Sequence, residues 1–190
     1  VLMGDVLASW ALARAETGEF AAALDTHQEA AAVYQTMATA SDRDLKLAAL
    51  RVSEGLTLDA MGRHDDALRS LRSARDLHVR VLGADHVFAA LHGNNISMVL
   101  RHQGRIEEAE REARAVAVFL ESSPNADPTV RSFTYLQLTQ MLLTSGRDLE
   151  ARKWADAAIE VWESAEDPGG EGAMARFLAA KAAVATDRAA

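Results

Sequence analysis

Four glycines divide the chain at nearly constant intervals. Gly18, Gly62, Gly104 and Gly146 stand 44, 42 and 42 residues apart, and an alanine follows each by five positions: Ala23, Ala67, Ala109 and Ala151. Seven positions before each glycine stands another small residue, Ala11, Gly55, Ser97 or Thr139. A period of this size marks stacked supersecondary units. Small residues on both sides of a glycine suit two antiparallel helices at their closest approach, and the glycine suits the left-handed position that ends the first. Each period therefore reads as a helical hairpin.

The start of each second helix is marked by acidic residues after the glycine (Glu19; Asp65 and Asp66; Glu107 and Glu108; Asp148 and Glu150), which complement the positive end of a helix. Apolar faces of helical period follow: Phe20, Ala23, Leu24, His27, Ala30, Tyr34; then Ile106, Ala109, Ala113, Val116, Leu120; then Ala151, Ala155, Ala158, Trp162. Between hairpins lie stop and start signals. They are Ser41 with Asp44 as a capping box, "GADH" around Gly83 with His86 in the next cap, Pro128 after Asp127, and "EDPGGEG" from Glu166. Nine helices are expected, paired over 3–40, 43–83, 86–123 and 128–165, with a final helix over 173–187. The fold class is all-α in one repeat domain spanning 1–190.

Composition narrows the function. Twenty Lys and Arg against 28 Asp and Glu leave a net charge of -8, which opposes binding to nucleic acid or an anionic membrane. With no cysteine, no disulfide or thiolate site exists, and a reducing cytoplasmic location is expected. The opening "VLMGDVLASWALARA" lacks a basic start and carries Asp5, so it reads as a core helix rather than a leader. The chain starts at Val1, and Leu2, Val6, Leu7 and Trp10 at one end and Phe177, Leu178 and Val184 at the other offer no polar cap. The expectation is a piece of something longer, or else a valine start codon translated literally, with self-association through those ends as a further option.

The spacing of small residue, glycine and alanine resembles the tetratricopeptide repeat. The 42-residue period, "VLGADH" at 81–86, Asn94 with Asn95, and "GRIEEAE" at 104–110 are similar to its kinesin-light-chain type, a variant also common in bacterial signalling and regulatory proteins. One departure is that Arg14, Leu58, Leu100 and Leu142 occupy a place where the family usually has an aromatic residue; another is Glu54, where it prefers Leu. The resemblance implies a right-handed superhelical solenoid whose first helices line a concave groove that holds a peptide or protein partner.

Carried onto this sequence, the groove positions are Asp5, Ala8, Ser9 and Leu12; Ala49, Val52, Ser53, Leu56 and Asp59; Leu91, Asn94, Asn95, Met98, Arg101 and His102; and Phe133, Leu136, Gln137, Gln140 and Thr144. Two asparagines in mid-helix need a reason, since Asn is a modest helix former. Either they capture the backbone of an extended ligand, Asn95 above all, or one of them ties neighbouring helices by a buried hydrogen bond. Arg101 and His102 could receive a partner's carboxylate, or else form a solvated helix end that complements the dipole. Val52, Leu56, Met98, Phe133 and Leu136 could form apolar pockets, whereas helical spacing alone more often means core, for Leu136 and Met98 above all. Trp10, Trp154 and Trp162 are expected in hairpin packing.

Chemistry is hard to assemble from this sequence. No two histidines stand four apart, His86, His92 and His102 share no helix face, and His27 sits at a core position, so no metal site or cofactor is expected. The Asp65–Asp66 and Glu107–Glu108 pairs fall in exposed first turns. The expectation is a non-enzymatic interaction module, or else a peptide- or ligand-sensing regulatory domain of a larger bacterial signalling or transcription regulator.

Overall fold

In a computed structural model the described residues are 2–84, 86–123, 126–163, 176, 178 and 179. The linker at 169–172 and most of the expected ninth helix lie outside them. Among the described residues there are eight helices and no strand: α1 Leu2–Glu16, α2 Phe20–Gln35, α3 Ala40–Ala60, α4 His64–Leu82, α5 Val87–His102, α6 Ile106–Glu121, α7 Pro128–Thr144 and α8 Asp148–Glu163. No helix there is long and apolar enough to cross a membrane. The chain divides into two compact units, residues 1–103 and 104–190.

The glycine periodicity has a backbone cause. Gly18, Gly62, Gly104 and Gly146 all adopt positive φ, between 69° and 84°, just past a helix end. In three of the turns the next residue's N–H reaches back to the carbonyl four residues before the glycine: Glu19 to Arg14 at 2.8 Å, Arg63 to Leu58 at 2.9 Å and Arg147 to Leu142 at 2.9 Å. This closes the helix in a Schellman-type turn and aims the chain into an antiparallel partner. The flanking small residues are all buried, Ala11, Ser97 and Thr139 before the glycines and the four alanines after them. Gly55 belongs to the same set, because an added Cβ would press on Leu71 of α4.

In the first unit α1 pairs with α2, α3 with α4, and α4 with α5, while α1, α3 and α5 adjoin in a row. Tyr34 of α2 donates to Asp5 of α1 at 2.8 Å, and Lys46 of α3 bonds the same carboxylate oxygen at 2.8 Å, so three helices meet at one charge. In the second unit α7 packs on α6 and α8. Glu110 of α6 binds Arg114 at 2.7 Å and Arg147, just before α8, at 2.8 Å. The second helices bury the expected faces: Ala23, His27, Ala30 and Tyr34 on α2, Ala109, Ala113, Val116 and Leu120 on α6, and Ala151, Ala155, Ala158 and Trp162 on α8.

The acidic residues after each glycine do more than answer the dipole. Arg63 binds Asp66 at 2.7 Å and Arg105 binds Glu108 at 2.7 Å, and Arg147 pairs with Glu150 in the same i, i+3 geometry. His86 and Asp127 cap α5 and α7 as expected, accepting from the N–H of Phe88 and Thr129. At the site of the missing aromatic, Leu58, Leu100 and Leu142 are buried, whereas Arg14 reaches across to the Thr26 hydroxyl of α2 at 2.6 Å.

Three expectations are corrected. Ser41 and Asp44 form no capping box: α3 starts earlier, at Ala40, so Asp44 lies inside the helix and accepts from Arg80 of α4 at 3.0 Å. Trp10 is 51% exposed and does not pack in the hairpin; helical spacing puts the Arg14 guanidinium 3.7 Å above its ring. The opening helix is not buried all round, because its only described neighbours are α2 and α3, which leaves Leu2, Met3 and Val6 exposed. Trp154, by contrast, packs on Leu142 and Ala151 and against the Tyr135 ring, as hairpin packing requires.

Candidate functional site

The row of α1, α3 and α5 presents a repeated position to solvent. Six residues before the hairpin glycine stand Leu12, Leu56 and Met98 in the first unit, and Gln140 on α7 in the second. Leu12 is 49% exposed and Leu56 37%, while Met98 and Gln140 are half-buried. The residue just before each of them, Ala11, Gly55, Ser97 and Thr139, is buried in the hairpin contact. A helix turns about 100° per residue, so burying one position holds its successor at the rim.

Around these positions Val52, Asn95 and Arg101 are half-buried, and Phe133 of α7 is exposed. Asn94 and Gln137 differ from a groove lining: each is only 5% exposed. Neither presents a free amide surface, because each faces the packed side of its helix. Asn95, one residue on, keeps partial access.

Asp59 and His102 also have an environment that the sequence does not suggest. Asp59 is buried near the end of α3, and its carboxylate accepts from two imidazoles: His64 Nδ1 at 2.7 Å on one oxygen and His102 Nδ1 at 2.8 Å on the other. His102 is thus more than a solvated helix end; it takes a carboxylate, and the carboxylate is the chain's own. Arg101 lies beside it, one guanidinium nitrogen 3.4 Å from His102 Nε2. Gln103 donates to Asp65 at 2.8 Å and ties the end of α5 to the start of α4.

A second histidine pair lies deeper in the same unit. His78 Nδ1 of α4 and His92 Nε2 of α5 share a hydrogen bond of 2.6 Å, with the Phe88 ring stacked on His78. Burial, aided by the charges of His78 and Arg75, lowers the pKa of His92 to about 4. Burial lowers that of His78 too. His27 is buried, as its core position predicts, with Ser53 Oγ 3.4 Å from its Nε2. Beside it Glu54, the departure from Leu, binds Arg51 at 2.6 Å and the hydroxyl of Ser70 on α4.

Comparison with known proteins fixes the fold. Residues 46–117 match the tetratricopeptide repeat family model. No curated protein matches the chain in sequence. Among solved structures the chain is similar to the nearly identical TPR-like repeats of a putative kinesin light chain from Podosopora anserina, at 14% identity with a TM-score of 0.76, covering 97% of this chain and 87% of that one. It is also similar to BtubC (BKLC) from P. vanneervenii, at 16% identity with a TM-score of 0.82, covering 95% of this chain and 72% of that one. The apo form of RapI aligns at 9% identity with a TM-score of 0.74, covering 87% of this chain and 44% of RapI. At such identities the likeness is one of fold. Residues 46–117 are therefore tetratricopeptide repeats, and the chain has the all-α repeat fold of kinesin-light-chain-like proteins.

Proposed function

We propose that the protein is a non-enzymatic interaction module that holds a peptide or protein partner against the exposed face of its first helices. In the first unit that face is the α1–α3–α5 row, with Val52, Leu56, Asn95, Met98 and Arg101; in the second it is α7, with Phe133 and Gln140. The observation that carries the reading is the recurring rim position: Leu12 and Leu56 stay exposed at the same register of successive first helices, each beside a small residue buried in its hairpin. Apolar side chains beside an accessible amide suit an extended ligand, whose side chains take the pockets while the amide meets its backbone. A peptide-sensing role within a longer regulator would use the same face.

The test is a pull-down from host lysate with the parent domain beside a Leu56→Asp, Asn95→Ala double variant, with melting followed by circular dichroism. A partner held by the parent and lost by a variant of unchanged melting temperature is the expected outcome. Identical partners on both proteins, or none on either, would count against this face as the binding surface.

A further inference from the structure

The geometry points to a site for a divalent transition metal, Zn2+ by its chemistry, formed by Asp59, His64 and His102 at the meeting of three helix ends. Asp59 lies in the last turn of α3, His64 is the first residue of α4, and His102 is the last of α5. All three belong to the first unit, where α4 packs on both α3 and α5. Their ligand-type atoms lie within 4.8 Å of one another.

The donor set is two imidazole nitrogens and one carboxylate oxygen. That set suits Zn2+ and its first-row neighbours, whereas Ca2+ and Mg2+ need a shell of oxygens. Zinc bonds of about 2.0–2.1 Å at tetrahedral angles put ligand atoms about 3.4 Å apart. The contacts at 2.7 and 2.8 Å, one on each carboxylate oxygen, would have to open by about 0.6–0.7 Å, and the imidazole nitrogens close on each other. Rotation of the two rings at helix ends supplies movements of that size without moving the helices.

Burial is graded as a metal site requires. The Asp59 side chain is withdrawn from water, while those of His64 and His102 reach it, so an ion has a route in and a fourth position open to water or to a donor group of a bound partner. In the metal-free arrangement both rings present Nδ1–H to the carboxylate, because an ionised carboxylate can only accept. Metal binding moves each imidazole proton from Nδ1 to Nε2 and leaves both rings neutral. The Arg101 guanidinium beside His102 Nε2 then has to turn towards solvent, which its half-exposed position permits. Bound metal would add coordination bonds among the ends of α3, α4 and α5, where the hydrogen bonds of Asp59 join His64 and His102 otherwise.

The full chain is titrated with Co2+, followed by its visible absorption, and then with Zn2+ as competitor. Saturable binding at one equivalent, displaced by Zn2+, is expected. His64→Gln and His102→Gln should each weaken it at least about tenfold, as loss of groups that hold or orient a metal does. His92→Gln, outside the cluster, should leave it unchanged. Circular dichroism melts establish that the variants are folded, and histidine NMR on the parent chain supplies a reading without substitution: Zn2+ should shift His64 and His102 and spare His78 and His92. Absence of saturable binding, unchanged affinity in both cluster variants, or shifts confined to His78 and His92 would overturn the assignment and leave Asp59 as a hydrogen-bonded tie among three helix ends.

Discussion

A Cβ placed on Gly55 would stand 2.8 Å from Cγ of Leu71, and 3.3 Å from the Ala67 carbonyl oxygen. Glycine at this point of α3 lets α4 approach more closely than any other residue would. Gly55→Val should therefore destabilise by about 1–3 kcal/mol through overpacking. Ala109→Leu, at a fully buried position on α6, should act the same way. Urea denaturation of both variants checks this; midpoints equal to the parent's would mean that the hairpins are looser than their burial implies.

The hairpin glycines carry a different cost. Gly62 and Gly146 have open space where a Cβ would go, yet their φ values are 73° and 69°. Substitution by Ala should cost about 1–2 kcal/mol of backbone strain without any steric contact. Replacing Gly62 by Asn, which tolerates the left-handed region better, should recover part of that loss, and a thermal melt series would reveal the order Gly, Asn, Ala.

The tie between α1, α2 and α3 rests on one carboxylate. Tyr34→Phe removes the 2.8 Å bond to Asp5 and keeps the ring that covers Gly4. A loss of about 1 kcal/mol is expected. A neutral amide oxygen accepts from Tyr34 more weakly than a carboxylate does, so the loss should shrink in an Asp5→Asn background, and a double-mutant cycle measures that coupling.

Acid should weaken the fold through its buried histidines. The folded-state pKa of His92 is held down to about 4, and those of His78 and His27 are lowered in the same direction by burial. Unfolded histidines titrate near 6.5, so between about 6.5 and about 4 the unfolded chain binds more protons. Stability from these groups is complete above about pH 6.5 and declines as the pH falls towards 4. His92→Gln should flatten that decline in urea midpoints measured across the interval; an equally steep decline in the variant would place the acid sensitivity elsewhere.

The sequence by itself determined the repeat. Glycine, its small partner and the following alanine act within one hairpin, so the turn at Gly62 and the burial of Gly55 and Ala67 follow from local spacing and the steric limits of close helices. The apolar faces of α2, α6 and α8 were legible for the same reason, since a helical period is a local signal. Tertiary structure decided what depends on neighbours distant in sequence. Asp44 reads as a cap until Arg80, on another helix, competes for it. Asn94 and Asn95 are indistinguishable as letters, and only packing buries the first and leaves the second accessible. The cluster of Asp59, His64 and His102 has no spacing to recognise, because its members are held on three helices and meet only when α3, α4 and α5 pack side by side. Backbone conformation is set by near neighbours along the chain, whereas a site is set by which side chains the packed helices bring within bonding distance.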